Sequence, residues 1–154
     1  MALDLSNTLV VGISATALFD MSESDKIFRE TFASDPDNAI EKYRNYMLAH
    51  ENEPLQPGTG YPLVKALLDL NQYQQADDKS PLVEVVIMSR NSPDTGLRVL
   101  NTIRHEKLTI TRSAFTAGES VPDYLDAATN LVPSGKVPYL SRSKLSEPTK
   151  KVVE

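Results

Sequence analysis

"LVVGISATALFDMSESDKIF", residues 9–28, begins as an apolar run, passes through small residues and continues into a charged stretch. A short Val-rich run such as Leu9–Ile13, bounded by turn-forming and small residues, is typical of a strand buried within a parallel sheet. Open α/β sheets usually hold their chemistry at the carboxyl ends of such strands. This strand end offers the hydroxyls of Ser14 and Thr16, and neither a carboxylate nor a glycine-rich phosphate loop. The role of these two hydroxyls is therefore central to what the protein does.

Length and charge favour a single globular domain. The 154 residues suffice for one substantial core, which we assign to residues 1–141, with a polar C-terminal tail over 142–154. The 16 Lys and Arg against 21 Asp and Glu give a formal net charge of −5, and no basic stripe is present, so we expect no nucleic-acid partner. The absence of cysteine removes disulfides, thiolate nucleophiles and cysteine-bound zinc. The start, "MALDLSNT", has neither a cationic segment nor a long apolar run, which predicts a cytoplasmic protein with no membrane partner.

Strands and helices alternate along the predicted chain. Asn38 and Glu41 form a predicted capping box for a helix that runs to His50, with Ile40, Tyr43 and Met47 on its apolar face. The other predicted elements are strands at Leu9–Ile13, Leu82–Met88, Ser113–Thr116 and Asn130–Val132, and helices over 62–71, from Ser92–Pro93 onward and from Ser120–Pro122 onward. This alternation predicts an α/β fold with three layers, in which helices cover both faces of a mostly parallel sheet.

The carboxyl ends of these strands define a candidate site. They bring together residues 14–16, 89–91, 116–119 and 133–134. Ser89, Arg90 and Asn91 precede a predicted helix, whose free amide groups and dipole attract anions, and the Arg90 guanidinium could hold a phosphate. The alternative is that Ser92 caps the helix while Arg90 is solvated, and the pattern alone leaves both open. The pair Asp77 and Asp78 is better explained as a solvated loop than as a metal site, because no further ligands lie at a useful spacing.

Four segments carry a resemblance to a known family. They are VVGISATALFDMSESDKIF, LQPGTGYPLVKALLDLN, VEVVIMSRNSPDTGLRVLNTI and ITRSAFTAGESVPDYLDAATNL, in this order over residues 8–131. The chain resembles the cytosolic 5'-nucleotidase family related to the type I enzymes. The resemblance implies a haloacid dehalogenase-like fold and Mg²⁺-dependent release of phosphate from nucleoside monophosphates. Family members resemble two tandem copies of such a domain, and this chain is similar to the N-terminal, non-catalytic copy.

The chemistry of that class requires an aspartate pair, a Ser or Thr, a lysine and further acids at the strand ends. Carried over by position, the aspartate pair falls on Ser14 and Thr16, and the Ser/Thr position falls on Ser89, which is retained. The lysine position falls near Glu119 or Val121, and the acidic metal position falls on Pro133 and Ser134; none of these residues has the required charge. The resemblance therefore implies that no catalytic residue is retained and that no metal is bound by this chain alone. It supports Ser89 as a phosphate ligand, while Arg90 and Asn91 are predicted phosphate-binding residues from their place before the helix.

Two kinds of function are compatible with these residues. The chain is either a 5'-nucleotidase domain with degenerate motifs that needs a catalytic partner half, or a non-catalytic module that binds a nucleoside monophosphate or phosphate, or serves assembly. In both cases Mg²⁺ belongs to the family's chemistry rather than to this chain, which we predict to be inactive alone. Because the surface that would pack against the second copy should be apolar, we also expect a homodimer.

Overall fold

A computed structural model describes residues 5, 7–78, 80–121 and 139–140. Its strands are β1 (Leu9–Ile13), β2 (Phe19–Asp20), β3 (Gln56–Pro57), β4 (Val83–Ser89), β5 (Arg112–Phe115) and β6 (Tyr139–Leu140). Its α-helices are α1 (Ala15–Leu18), α2 (Ser22–Ser34), α3 (Ala39–Ala49), α4 (Tyr61–Asp69) and α5 (Leu97–His105), with 3₁₀ turns at Pro36–Asn38 and Leu70–Tyr73.

The main sheet is parallel, as predicted, in the order β5-β4-β1-β6. Strands β1 and β4 are neighbours, with Leu9 opposite Val83 and Ile13 opposite Ile87. The predicted strand at 113–116 is confirmed one residue earlier, as β5. The predicted strand Asn130–Val132 lies outside the described residues. Strand β6 is not predictable from the local sequence, because its two residues follow Pro138 and carry no alternating pattern.

The main core lies on one face of this sheet. Ile13, Val85 and Ile87 project from the central strands and pack with buried residues of α3, α4 and α5. The opposite face carries a smaller cluster in which Leu5 and Val10 pack with Val86. The helix predicted to open at 120–122 lies almost entirely outside the described residues. The described helices thus cover the face that carries the main core.

A helical hairpin is inserted into a small antiparallel ribbon after β1. Helices α2 and α3 pack against each other between β2 and β3, whose register pairs Phe19 with Pro57 and Asp20 with Gln56. The ribbon follows directly from α1, so the hairpin is attached close to the carboxyl end of β1. The prolines and glycines of residues 54–61 favour a loop, and the long-range pairing of β3 within that segment has no local signature.

Two predicted helix starts are wrong in detail. The Asn38 side chain makes no capping bond to α3, because its Nδ2 donates to Asp35 Oδ2 (2.8 Å) instead. Helix α5 begins at Leu97 rather than at Ser92–Pro93, because residues 92–96 form a hydrogen-bonded turn that precedes it. The Ser92 hydroxyl contacts the side chains of Asp94 and Thr95 rather than capping a helix.

The apolar face of α3 also differs from the prediction. Ile40 is 73% exposed, whereas Ala39 and Met47 are buried and Tyr43 and Tyr46 pack against the core. The spacing of Ile40, Tyr43 and Met47 suits a helix, but the buried side of α3 is displaced from Ile40 towards Ala39 and Tyr46. Tyr43 is therefore directed towards the end of β4, where the candidate site lies.

Candidate functional site

The segments after β4 and β5 run side by side at the carboxyl edge of the sheet. Backbone amides of Thr116, Ala117 and Gly118 donate to the carbonyls of Ser89, Asn91 and Arg90, over 2.9, 3.1 and 2.7 Å respectively. This ladder brings together two of the four predicted strand-end segments, 89–91 and 116–119. Residues 14–16 follow the adjacent strand β1 at the same edge. Pro133 and Ser134 lie outside the described residues.

Ser14 and Thr16 have a structural role in this arrangement. Ser14 is the N-cap of α1, and its Oγ accepts a hydrogen bond from the Ala17 amide over 3.2 Å. The Thr16 hydroxyl lies 3.3 Å from the same oxygen. The two hydroxyls at the predicted nucleophile and acid positions therefore satisfy each other and the first turn of a short helix.

A small cleft opens beside these hydroxyls. It has a volume of about 150 Å³ and is lined by Thr16, Asp20, Pro57, Gly58 and Thr59. Asp20 is the carboxylate of this lining, and its Oδ1 accepts from the Ser22 amide (2.9 Å) at the start of α2. The cleft thus contains hydroxyls and one carboxylate that supports the ribbon and helix next to it.

Arg90 connects the loop after β4 to the turn after β5 through hydrogen bonds. Its Nε and Nη2 both donate to the Gly118 carbonyl, over 3.2 and 3.0 Å, while its side chain remains exposed. This contact links the loop after β4 to the turn after β5. The amide of Asn91 donates to Ser89 Oγ over 3.3 Å, so the Ser89 hydroxyl also has a local partner.

Asn91 carries the least satisfied polar group at this edge. Its Oδ1 accepts from the Tyr43 hydroxyl over 3.4 Å, whereas its Nδ2 is buried and has no hydrogen-bond acceptor among the described residues. A buried amide donor without a partner costs free energy, so such groups usually face a ligand, an ion or water. Asn91 Nδ2 is therefore a buried donor at this edge without a partner among the described residues.

Tyr43 is a site residue that the sequence pattern assigns only to the core. Burial, with a further contribution from Asp25, raises the pKa of its phenol, while Ser24, Asn91 and Arg98 lower that pKa to a smaller extent. The phenol therefore stays protonated and donates to Asn91. Nothing in the local sequence predicts this contact, because the two residues are 48 positions apart.

The turn before α5 already contains an anion. The carboxylate of Asp94 accepts from the Thr95 amide over 3.1 Å and forms an ion pair with Arg44 of α3. The Ser92 hydroxyl, followed by the Thr95 amide and Arg44, lowers the pKa of Asp94, and desolvation only partly opposes this. The start of this segment is thus occupied by a carboxylate of the chain itself, contrary to our expectation of a free helix terminus directly after Asn91.

The described residues contain no group of three or more His, Cys, Asp or Glu side chains that could hold a metal ion. Glu119, at the predicted lysine position, lies in the exposed turn after β5, and Val121 is buried. Asp77 and Asp78 lie in an exposed connection, as predicted. No described helix is both long and apolar enough to cross a membrane.

The protein is of the α/β class: it has a parallel sheet, and its candidate site lies at the carboxyl ends of the strands. The profile of the 5'-nucleotidase family matches residues 1–142. Human cytosolic 5'-nucleotidase 1B is 34% identical over 128 residues, which cover 81% of this chain and 20% of that protein. No solved structure matches the chain.

The chain belongs to the 5'-nucleotidase family, and its fold is α/β of the haloacid dehalogenase-like type. The matching segment lies in the N-terminal part of the human relative. The chain spans about one fifth of that relative's length, so the activity of the longer protein does not pass directly to this chain.

Proposed function

We propose that this chain is a 5'-nucleotidase-family domain that holds the phosphate of a nucleoside monophosphate and does not hydrolyse it alone. Hydrolysis then requires a second half that carries the aspartate pair, either in the same longer protein or on another chain. The name of the human relative supports a nucleotide as the ligand. The residues at the carboxyl ends of the strands support binding of the phosphate without its hydrolysis.

One observation carries the proposal. Ser14 Oγ caps α1 and lies 3.3 Å from the Thr16 hydroxyl, at the two positions where the family resemblance requires carboxylates. A neutral hydroxyl that is engaged in capping and has no adjacent base is a poor nucleophile. Neither side chain can form an acyl phosphate, and neither can act as a positioned acid in leaving-group departure.

The Mg²⁺ that the family uses does not fit these residues. The ion prefers carboxylate oxygens in near-octahedral geometry, usually together with oxygens of the substrate phosphate. At this edge the described residues supply hydroxyls, amides and the carboxylates of Asp20, Asp94 and Glu119. Asp20 accepts from the Ser22 amide and Asp94 pairs with Arg44, and the described residues contain no group of three such side chains that could hold a metal ion. We therefore propose that the chain alone binds no catalytic magnesium.

Asn91 supports phosphate binding at the same edge. Its buried Nδ2 lacks an acceptor among the described residues, and the adjacent Ser89 hydroxyl can rotate to donate a hydrogen bond. Phosphate oxygens accept hydrogen bonds from such amide and hydroxyl donors. In this proposal Arg90 maintains the loop through Gly118 and contributes positive charge at the rim of the site.

The test combines turnover and binding with the purified chain. Phosphate release from several nucleoside monophosphates with Mg²⁺ should be indistinguishable from buffer, and Ser14→Asp combined with Thr16→Asp should not restore it. Calorimetry with inorganic phosphate and with the same nucleotides should show binding. Robust Mg²⁺-dependent turnover by the wild-type chain would refute the proposal, as would the absence of any phosphate binding.

A matched pair of variants locates the binding. Asn91→Asp replaces the free amide donor with a carboxylate and should abolish phosphate binding. Asn7→Asp makes the same substitution in an exposed turn before the start of β1, at the opposite edge of the sheet, and should bind as the wild type does. Equal loss in both variants would indicate a general charge effect and would contradict the assignment to Asn91.

The predicted homodimer has a separate test. Phe32 and Ile40 lie at the tip of the α2–α3 hairpin and are 55% and 73% exposed, which supports burial of this tip by another chain. Light scattering at high concentration should give the mass of a dimer, and Phe32→Ser should shift it to that of a monomer. A wild-type monomer at all concentrations would contradict this prediction.

A further inference from the structure

We propose that Arg98 is a second anchor of the phosphate, facing it from the first turn of α5. This inference rests on the proposed function and names a binding residue for it. Arg98 is a buried cation, with 7% of its surface exposed, in a helix whose other arginine, Arg104, is exposed. Its sequence context gives no sign of this burial, because the surrounding pattern is that of an amphipathic helix.

The charge of Arg98 has no counter-ion among the described residues. Its Nε donates to the backbone carbonyl of Glu53 over 3.0 Å, and its guanidinium carbon lies 5.8 Å from the centre of the Tyr46 ring. No carboxylate of the described residues forms an ion pair with it, whereas Arg44 and Arg112 each have one. Buried charges in proteins are usually paired, so an unpaired guanidinium indicates a place for an anion.

Tyr43 places Arg98 beside the donor already identified. Its hydroxyl donates to Asn91 Oδ1, and Arg98 is close enough to influence the ionisation of the same phenol. Tyr43 and Tyr46 lie one helical turn apart on α3, so Asn91 and Arg98 both lie beneath the same side of this helix. The unpartnered Nδ2 of Asn91 and the unpaired charge of Arg98 are thus two independent observations that point to an acceptor near Tyr43.

The chemistry of the two groups selects a phosphate monoester. With Nε committed to Glu53, the terminal nitrogens of Arg98 can donate in parallel to two oxygens of one group, and Asn91 Nδ2 can donate to another. A phosphate dianion has three terminal oxygens and the charge to balance a buried guanidinium. Inorganic phosphate and the 5'-phosphate of a nucleotide share this chemistry, and a nucleoside without phosphate lacks it.

The experiment measures binding to the full chain by calorimetry, with inorganic phosphate, a nucleoside monophosphate and the corresponding nucleoside as ligands. Arg98→Met should weaken binding of both phosphate ligands about 10- to 100-fold, because a hydrogen-bonded charge is lost. Arg98→Lys, which keeps the charge but loses the paired donors, should lie between Arg98→Met and the wild type. Arg104→Met, which removes an exposed charge from the same helix, should bind as the wild type does.

A measurement on the wild-type chain distinguishes phosphate binding by Arg98 from a purely structural role of this residue. Nuclear magnetic resonance of the isotope-labelled wild-type chain reports the side-chain Nε–H signals of its arginines, and phosphate should shift the signal of the buried Arg98 but not that of the exposed Arg104. This readout remains decisive where Arg98→Met fails to fold. Phosphate binding by the wild type with unchanged affinity in folded Arg98 variants, or with no shift of the Arg98 Nε–H signal, would overturn this inference and leave the proposed function intact. Absence of phosphate binding by the wild type would instead overturn the proposed function.

Discussion

Gly58 is the position where one added methyl group should disturb the site most directly. A Cβ at this residue would lie 2.6 Å from the carbonyl oxygen of Ala17, and 2.9 Å from the carbonyl carbons of Leu18 and Phe19. All three atoms belong to the backbone of α1 and β2. They are held in place by the bonds from Gly58 N to Leu18 O (2.8 Å) and from Gly60 N to Ala17 O (2.7 Å), so they cannot rotate away.

The magnitude for Gly58→Ala follows from these contacts. Overpacking of this kind costs about 1–3 kcal/mol, and weakening one backbone hydrogen bond adds about 1 kcal/mol. The lower entropy of alanine in the unfolded chain returns about 0.4–1 kcal/mol. We therefore expect the free energy of unfolding to fall by about 1–4 kcal/mol. Because Gly58 lines the cleft beside Thr16, the same shift should change the shape of that cleft.

Urea unfolding followed by far-ultraviolet circular dichroism measures this change, since the chain has no tryptophan. Gly96→Ala is the matched control, because its Cβ would meet the Phe115 ring, at 2.4 Å, rather than backbone. Truncation of that ring in Gly96→Ala/Phe115→Leu should recover part of the stability lost in Gly96→Ala. A Gly58→Ala chain as stable as the wild type would refute the expected clash with the backbone of α1 and β2.

Three further predictions concern stability. Ser14→Ala removes the cap acceptor for the Ala17 amide and should cost about 1 kcal/mol in urea unfolding, whereas Ser14→Asp, which keeps an acceptor, should stay closer to the wild type; equal losses would contradict the capping role. Glu84 is buried within β4 and pairs with the partly exposed Arg112 over 2.8 Å, so Arg112→Ala should cost about 3 kcal/mol, while Glu84→Leu/Arg112→Leu should be as stable as the wild type or more so; a double variant less stable than Arg112→Ala would refute this. The raised pKa of Tyr43 means that its contribution to stability is present below pH 10.0 and is lost as the pH rises through the folded-state pKa, so Tyr43→Phe should lessen the alkaline loss of stability in a pH series of urea titrations. The same alkaline slope in both proteins would contradict it.

The sequence alone determined three strands of the main sheet, β1, β4 and β5, and the parallel α/β class of the fold. The runs at β1 and β4 are largely apolar and most of their residues are buried, as is typical of central strands in a parallel sheet, and polar or small residues bound each run. The helices α3 and α4 were also predictable from their spacing, and Pro62 lies in the first turn of α4 as expected. The same local patterns placed Ser14 and Ser89 at one edge, because adjacent parallel strands end together.

The family membership also came from sequence, since it depends on the order of residues along the chain. The missing carboxylates at positions 14 and 16 are equally a property of the sequence, because the absence of a functional group needs no coordinates. The capping role of Ser14 needed the structure, since α1 is a single turn whose hydrogen bonds have no periodic pattern.

Only the tertiary structure decided which contacts the polar residues make at the carboxyl ends of the strands. Arg90 contacts Gly118 rather than facing an open site, α5 begins after a turn that contains Asp94, and Tyr43 reaches Asn91 from an inserted helical hairpin. These contacts join residues 28 to 48 positions apart, or depend on which stripe of a helix is buried. The physical reason is that local patterns report whether a side chain prefers water or the core, whereas the partner of a buried polar group is set by which elements the fold brings together. Arg98 shows this most clearly, because its sequence context suits an exposed helix and only the fold buries it against Tyr46 of α3 and the Glu53 carbonyl, without a counter-ion among the described residues.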